Sequence, residues 1–257
     1  MKNKSLVIIL CILSFIVLMV ILSSTVFCLK NVELNFLSKK INLNSDDEII
    51  QSVDFEYNKS IFFLSKKKYM TELEQKNPYI KIINIETIFP NKIRINCVER
   101  NELFALKGFE NSSFKSYMIL DREGKVLDNQ NDFSNTHLNS ISLVVDNSQE
   151  ENVKKGQTIS SSYNNLIKSL ANELFAYQNN VLLLKANFEE IIINYNSSDD
   201  IKIKMRSGTT ILLKEISSNF SEKFMLGLST YDDVLDKTNS EIVIFKNSEG
   251  KVVGNIY

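Results

Sequence analysis

Between Lys4 and Lys30 no charged side chain appears, and Leu6 to Leu29 is dominated by Leu, Ile, Val, Phe and Met. As a helix this run is roughly 36 Å long, enough to cross a hydrocarbon core of about 30 Å. It is too long for a typical signal-peptide core, and no Ala-x-Ala-like site follows it. Val26 and Phe27 precede Cys28, where a lipoprotein signal needs small residues. We therefore expect residues 1–5 as a short cytoplasmic tail and 6–29 as an uncleaved transmembrane helix. Leu6, Ile12, Phe15, Leu18, Ile21 and Leu29 mark its anchor residues. The short tail and the large remainder put the bulk of the chain outside the cytoplasm.

After the apolar run the pattern changes to short segments. Val32 to Phe36 reads as a strand. Ser45-Asp46-Asp47-Glu48 is a capping box ahead of Ile49, Ile50 and Val53. Ile61-Phe62-Phe63-Leu64 is a short apolar run after a polar turn. A second helix starts near Ser65 and presents Tyr69, Met70 and Leu73 on one side. The only two prolines, Pro78 and Pro90, then bracket a strand-like stretch. Proline bars helix continuation, so the helix stops at Asn77. Beyond it Ile83, Ile85 and Thr87 alternate with Asn84 and Glu86. Past Phe89-Pro90-Asn91, Ile93, Ile95 and Cys97 alternate with Arg94, Asn96 and Val98. Period two on both sides of a proline corner predicts a hairpin with one buried face.

Past Arg100 strands predominate: Leu103 to Lys107, Ser116 to Leu120, and Lys125 to Leu127 after an Asp121-Arg122-Glu123-Gly124 turn. Ile141 to Val145 follows a polar stretch. Tyr163, Leu166, Ile167, Leu170, Ala171, Leu174 and Phe175 recur at helical spacing. Strands are expected at Leu182–Ala186, Glu190–Tyr195, Ile201–Met205 and Thr210–Lys214. Asn219 and Glu222 are expected to cap a last helix that turns Phe220, Phe224, Leu228, Tyr231 and Leu235 inward. Strands Glu241–Lys246 and about Lys251–Ile256, joined through Asn247-Ser248-Glu249-Gly250, close the chain.

Composition narrows the chemistry. Beyond Lys30 there are 27 basic against 31 acidic residues, a net of −4, which argues against nucleic acid. Of three cysteines, Cys11 and Cys28 sit in the apolar run, leaving Cys97 on the apolar face of its strand, a buried inert thiol. The single histidine, His137, lies in a polar loop without partners for a triad or metal site. The carboxylate pairs Asp46/Asp47, Asp199/Asp200 and Asp232/Asp233 are not placed across any cleft. We expect no catalytic residue, no cofactor and no metal. Lys66, Lys67 and Lys68 oppose the dipole of their helix. They read either as a contact for anionic lipid or polymer, or as a solvated face.

An anchor followed by β-α-α-β-β looks like a POTRA module on a membrane span, here over residues 30–100. The likeness is to the FtsQ/DivIB family of bacterial cell-division proteins. It rests on Ser60-Ile61-Phe62-Phe63-Leu64-Ser65-Lys66-Lys67-Lys68, on Asn77-Pro78-Tyr79-Ile80, and on Phe89-Pro90-Asn91-Lys92 with Val98-Glu99-Arg100. Tyr117 to Leu127 resembles the opening of the family's β domain, expected over 101–257. Two departures stand out: Asn35-Phe36-Leu37-Ser38 lacks the family's usual Gly after the first strand, and nothing aligns between 128 and 160. The resemblance implies an α+β fold, with a transmembrane helix, a POTRA module and a mixed β-rich domain. It implies assembly rather than catalysis: a single-pass septal membrane protein whose β domain binds FtsB/DivIC-like and FtsL-like coiled-coil proteins and helps regulate septal peptidoglycan synthesis. The family's binding strand is the terminal one, here Ile242, Val243, Ile244, Phe245 and Lys246, with Gly250, Val252 and Gly254. The alternative is an anchored POTRA protein in export or envelope assembly.

Overall fold

The computed structural model describes residues 2–38, 44–131, 140–145, 151–159 and 164–257. His137 and Tyr163 lie outside the described residues. The chain divides into two compact units, Met1–Arg100 and Asn101–Tyr257.

The first unit begins with helix α1, Lys2–Thr25. Its described side chains, Val7 to Ile21, are all exposed, with Ile12, Phe15, Leu18 and Ile21 among them. Among the described residues no helix is long and apolar enough to cross a membrane. Leu29 differs from expectation: it is fully buried in the core of the unit. The helix ends at Thr25, and the chain then pairs with the 58–61 segment, Leu29 N donating to Lys59 O and Ile61 N to Phe27 O. Leu29 therefore belongs to the folded module and not to the apolar helix.

The module has the order β1 (Asn31–Phe36), α2 (Asp46–Gln51), α3 (Lys66–Lys76), β2 (Ile80–Ile88) and β3 (Lys92–Glu99). Its three strands run in the order β1-β3-β2, with β1 parallel and β2 antiparallel to the central β3. The Ser45 capping box forms as the sequence predicts: Ser45 Oγ accepts from Glu48 N, and Glu48 Oε2 accepts from Ser45 N. One sheet face packs Ile93, Ile95 and Cys97 against Ile49, Tyr69 and Leu73 of the helices. The other face is polar. Asn96 is buried there and its amide donates to Asn84 (2.6 Å) and Glu86 (2.8 Å), while its oxygen accepts from Asn35 (2.8 Å).

The alternation in β2 is not the expected one. Ile80, Ile82 and Ile85 are buried, whereas Ile83 is 47% exposed. A β-bulge between Ile82 and Asn84 inserts one residue and turns Ile83 out of the core. Glu74 braces the bulged strand: its Oε1 accepts from Ile82 N at 2.8 Å and its Oε2 pairs with Arg100 at 3.1 Å. Arg100 in turn donates to Ile80 O. Asn77 ties the ends of α2 and α3, donating to Ser52 Oγ and Leu73 O. These bonds give Asn77 and Arg100 structural work.

Among the described residues the second unit is one nine-stranded sheet with three α-helices. Its strands are β4 (Phe104–Glu110), β5 (Ser113–Leu120), β6 (Val126–Gln130), β7 (Ile141–Val145), β8 (Phe188–Ile193), β9 (Ile201–Met205), β10 (Thr210–Leu213), β11 (Glu241–Lys246) and β12 (Val252–Ile256). The order across the sheet is β12-β11-β10-β9-β8-β7-β4-β5-β6. Helices α4 (Asn164–Tyr177), α5 (Val181–Asn187) and α6 (Phe220–Asp233) accompany it. Every second residue of the strands, from Leu106 and Met118 through Ile191 and Ile203 to Ile242, joins one core with Ile167, Leu170 and Leu174 of α4 and Phe224 and Leu228 of α6.

Three expectations fail in this unit. Leu182 to Ala186 is helix α5, because Asn180 Oδ1 accepts from Leu182 N and Leu183 N and so caps a helical turn. Asn219 does not cap α6 through its side chain. It takes a left-handed conformation (φ 59°), and its amide donates to Glu222 Oε2 at 2.6 Å. Leu235 falls past the end of α6 and is fully exposed.

The Glu74–Arg100 pair yields a test. Glu74→Ala removes a carboxylate partner of the buried Arg100 and the acceptor for Ile82 N. The expected loss is about 2–3 kcal/mol of stability, measured by urea unfolding. Glu72→Ala, which removes only the 3.9 Å exposed pair with Lys68, is expected to cost under about 0.5 kcal/mol.

Candidate partner-binding edge

A sheet that does not close has two end strands, and each carries backbone groups that its single neighbour cannot satisfy. One end is β6. The loop after it covers its start: Val126 N donates to Gln157 O, and Gly156 N to Val126 O. The other end is β12.

The hydrogen bonds of β12 fix which of its groups face out. Glu241 and Tyr257 exchange both backbone bonds (3.1 and 2.8 Å), and Asn247 N donates to Lys251 O at 2.9 Å. In an antiparallel ladder such bonded pairs alternate with unbonded ones. Residues 251, 253, 255 and 257 thus point their N–H and C=O groups at β11. Val252, Gly254 and Ile256 point theirs outward, away from the sheet.

The turn between the two strands holds this register. Asn247 Oδ1 accepts from Glu249 N and Lys251 N, and Gly250 supplies the left-handed residue at φ 78°. Beneath the edge lies α6. Gly227 brings that helix close to the sheet, since a Cβ there would lie 2.9 Å from Ile211 Cγ2. Lys223 of the same helix is fully buried and its ammonium donates to the carbonyls of Lys214 and Glu215, both at 2.8 Å. Loss of water pushes its pKa down. Tyr177 donates to Asp232 at 2.8 Å and ties α4 to α6; burial and then that carboxylate hold its hydroxyl pKa up.

The residues expected from sequence divide sharply here. Ile242 and Ile244 are fully buried beneath α6, and β11 is paired on both sides, parallel to β10 and antiparallel to β12. Its backbone is therefore closed to a partner. Val243 and Phe245 are half-buried on the opposite sheet face, with Lys246 at the strand's end. Val252 and Gly254 lie on the open strand, while Gly250 belongs to the turn. Ile256 and Tyr257, 55% and 71% exposed, lie beyond the segment to Gly254 that the sequence singles out. Counting by twos from the Asn247–Gly250 turn gives the hydrogen-bonding phase of the hairpin, but the pairing of β11 with β10 is what makes β12 the edge.

The carboxylate pairs have local tasks. Asp199 accepts from Ser217 N, and Asp200 from Glu215 N. Among the described residues no group of three or more His, Cys, Asp or Glu is placed to hold a metal ion.

The first unit's architecture is that of a POTRA domain, and residues 39–100 match the family model described as "POTRA domain, FtsQ-type". The chain is 25% identical over 181 residues to a cell division protein DivIB of Clostridium acetobutylicum, covering 66% of this chain and 68% of that protein. It is 26% identical over 200 residues to a DivIB of Clostridium botulinum (73% and 76% covered). A Clostridium tetani DivIB is 27% identical over 164 residues (63% and 56% covered). These matches support a cell-division role of the FtsQ/DivIB type, with an FtsQ-type POTRA domain at residues 39–100.

The seat of α6 can be tested directly. Gly227→Leu overpacks the gap above Ile211 and Leu213 and is expected to cost ~2–3 kcal/mol in urea unfolding. Ser229→Leu, at an exposed position of the same helix, is expected to stay within about 0.5 kcal/mol of the parent.

Proposed function

We propose that this chain is a single-pass scaffold of the bacterial divisome. In this reading the charge-free run from Lys4 to Lys30 anchors it in the cell membrane with residues 1–5 in the cytoplasm. The POTRA domain and the nine-stranded domain lie outside, at the division septum. The nine-stranded domain binds FtsB/DivIC-like and FtsL-like coiled-coil proteins and so links them to septal peptidoglycan synthesis. The protein acts by assembly and not as an enzyme.

The observation that carries the reading is the open edge of β12. A partner segment laid along it as a tenth strand bonds to the outward groups of Val252, Gly254 and Ile256. Side chains at the edge add specificity, with Ile256 on the α6 side and Tyr257 on the other. Removing the last two strands is a poor test of this reading, because Ile242 and Ile244 are core residues. A proline at the edge is cleaner, since it deletes one donor and leaves the interior ladder intact.

Ile256→Pro removes an outward N–H, whereas Asn255→Pro removes one that bonds β11. From detergent-solubilised membranes, the parent chain is expected to bring down the coiled-coil pair. Ile256→Pro is expected to lose at least about tenfold of that recovery while its melting temperature stays within a few degrees. Asn255→Pro is expected to lower stability as well. Full recovery with a folded Ile256→Pro chain sinks the edge as the binding site.

A further inference from the structure

We infer that Phe27, Phe62, Phe63 and Phe89 form a lipid-seating surface that holds the POTRA domain down on an anionic bilayer. The inference rests on the membrane-anchor reading above. The short 3-10 turn Ile61–Phe63 buries Ile61 in the core and turns the next two rings out: Phe62 is 55% and Phe63 73% exposed. Phe89, at the tip of the β2–β3 hairpin, is 61% exposed. Ring centroids of Phe27, Phe62 and Phe89 lie 5.5, 5.7 and 6.1 Å apart, so residues distant in sequence present one aromatic surface. Exposed apolar surface is unfavourable in water, and a contiguous patch marks a contact.

The position of the patch names the partner. Across an apolar cleft of about 430 Å³, Phe62 and Phe63 face Phe15, Ile16, Met19 and Val20 of α1. These four residues lie five to ten residues before the helix end at Thr25, roughly 8–15 Å back along the axis. The two rings therefore stand level with side chains inside the apolar part of α1. An interfacial element buries its apolar face about 5–10 Å into the headgroup and acyl boundary, which overlaps the shallow end of that range. An acyl chain fills the cleft that water would otherwise occupy. Lys66, Lys67 and Lys68 follow Phe63 after Leu64 and Ser65, and Lys67 and Lys68 are exposed. Basic residues near an anionic surface are drawn to it and strengthen the seat. The lysines at the start of α3, unfavourable to the helix dipole, gain their purpose from the phosphate layer.

The chain contains no tryptophan, so a single introduced indole reports on one place. The full chain is reconstituted in vesicles of phosphatidylcholine and phosphatidylglycerol carrying lipids brominated at shallow or deep acyl positions. Phe63→Trp is expected to emit blue-shifted and to be quenched mainly by the shallow label; Phe15→Trp is expected to be quenched mainly by the deep one. Replacing Lys66, Lys67 and Lys68 by Glu is expected to cut the quenching of Phe63→Trp by about twofold. Quenching of Phe15→Trp with a water-like, unquenched Phe63→Trp overturns the seating surface and leaves the anchor standing. No quenching at either position overturns the anchor and the seat with it. A blue-shifted but unquenched Phe63→Trp overturns the lipid partner in favour of a protein one.

Discussion

Every backbone N–H and C=O in a sheet must find a partner, and an open sheet cannot satisfy that demand at its ends. In the nine-stranded domain this constraint governs the architecture. β11 is held between β10 and β12, with Ile242 and Ile244 sealed under α6. Gly227 lets α6 settle on the sheet, Lys223 bonds the carbonyls that enter that helix, and Asn247 fixes the register of the last turn. What remains is a strand whose even-numbered residues, Val252, Gly254 and Ile256, face outward. The demand is met at the β6 end by the chain's own loop, whereas at β12, among the described residues, no further strand lies alongside.

The POTRA domain solves a different problem with a small sheet. Its core side is a conventional apolar layer, and its specificity lies in polar ties around it. Asn96 joins the three strands on one face, while Glu74 and Arg100 lock α3 to a bulged β2. Tyr69 is buried under the helices and donates to Glu56, which also pairs with Lys59. Lys59 and then Tyr69 hold the Glu56 carboxyl below its ordinary pKa. Because the folded value is lowered, this contribution is present above the usual carboxylate range and is lost as pH falls through it.

Much of this was legible in the residues. The Ser45 box, the Tyr69 and Leu73 face, the proline-bracketed hairpin and the Asn247–Gly250 turn depend on local chemistry, and local chemistry is written in short spans of sequence. The failures share a different cause. Ile83 looks identical to Ile85 until a bulge shifts the phase, and the bulge is stabilised by Glu74 from another element. Leu182 to Ala186 is an apolar run that suits either helix or strand, and the side chain of Asn180 decides it. The candidate site was read as one apolar stretch, but an apolar strand can equally be interior. Only the order β12-β11-β10 separates the buried Ile242 from the outward Gly254, and strand order is a long-range property.

The most direct test is amide hydrogen exchange, resolved by residue, on the chain with and without the coiled-coil pair. The free chain is expected to protect the amides of Val253 and Asn255, which bond β11, and to exchange those of Val252, Gly254 and Ile256 rapidly. On binding, those three amides are expected to become protected together, by at least about tenfold, with no change at β6. Rapid exchange at all three in a saturated complex would contradict strand addition at β12, whatever the complex's affinity.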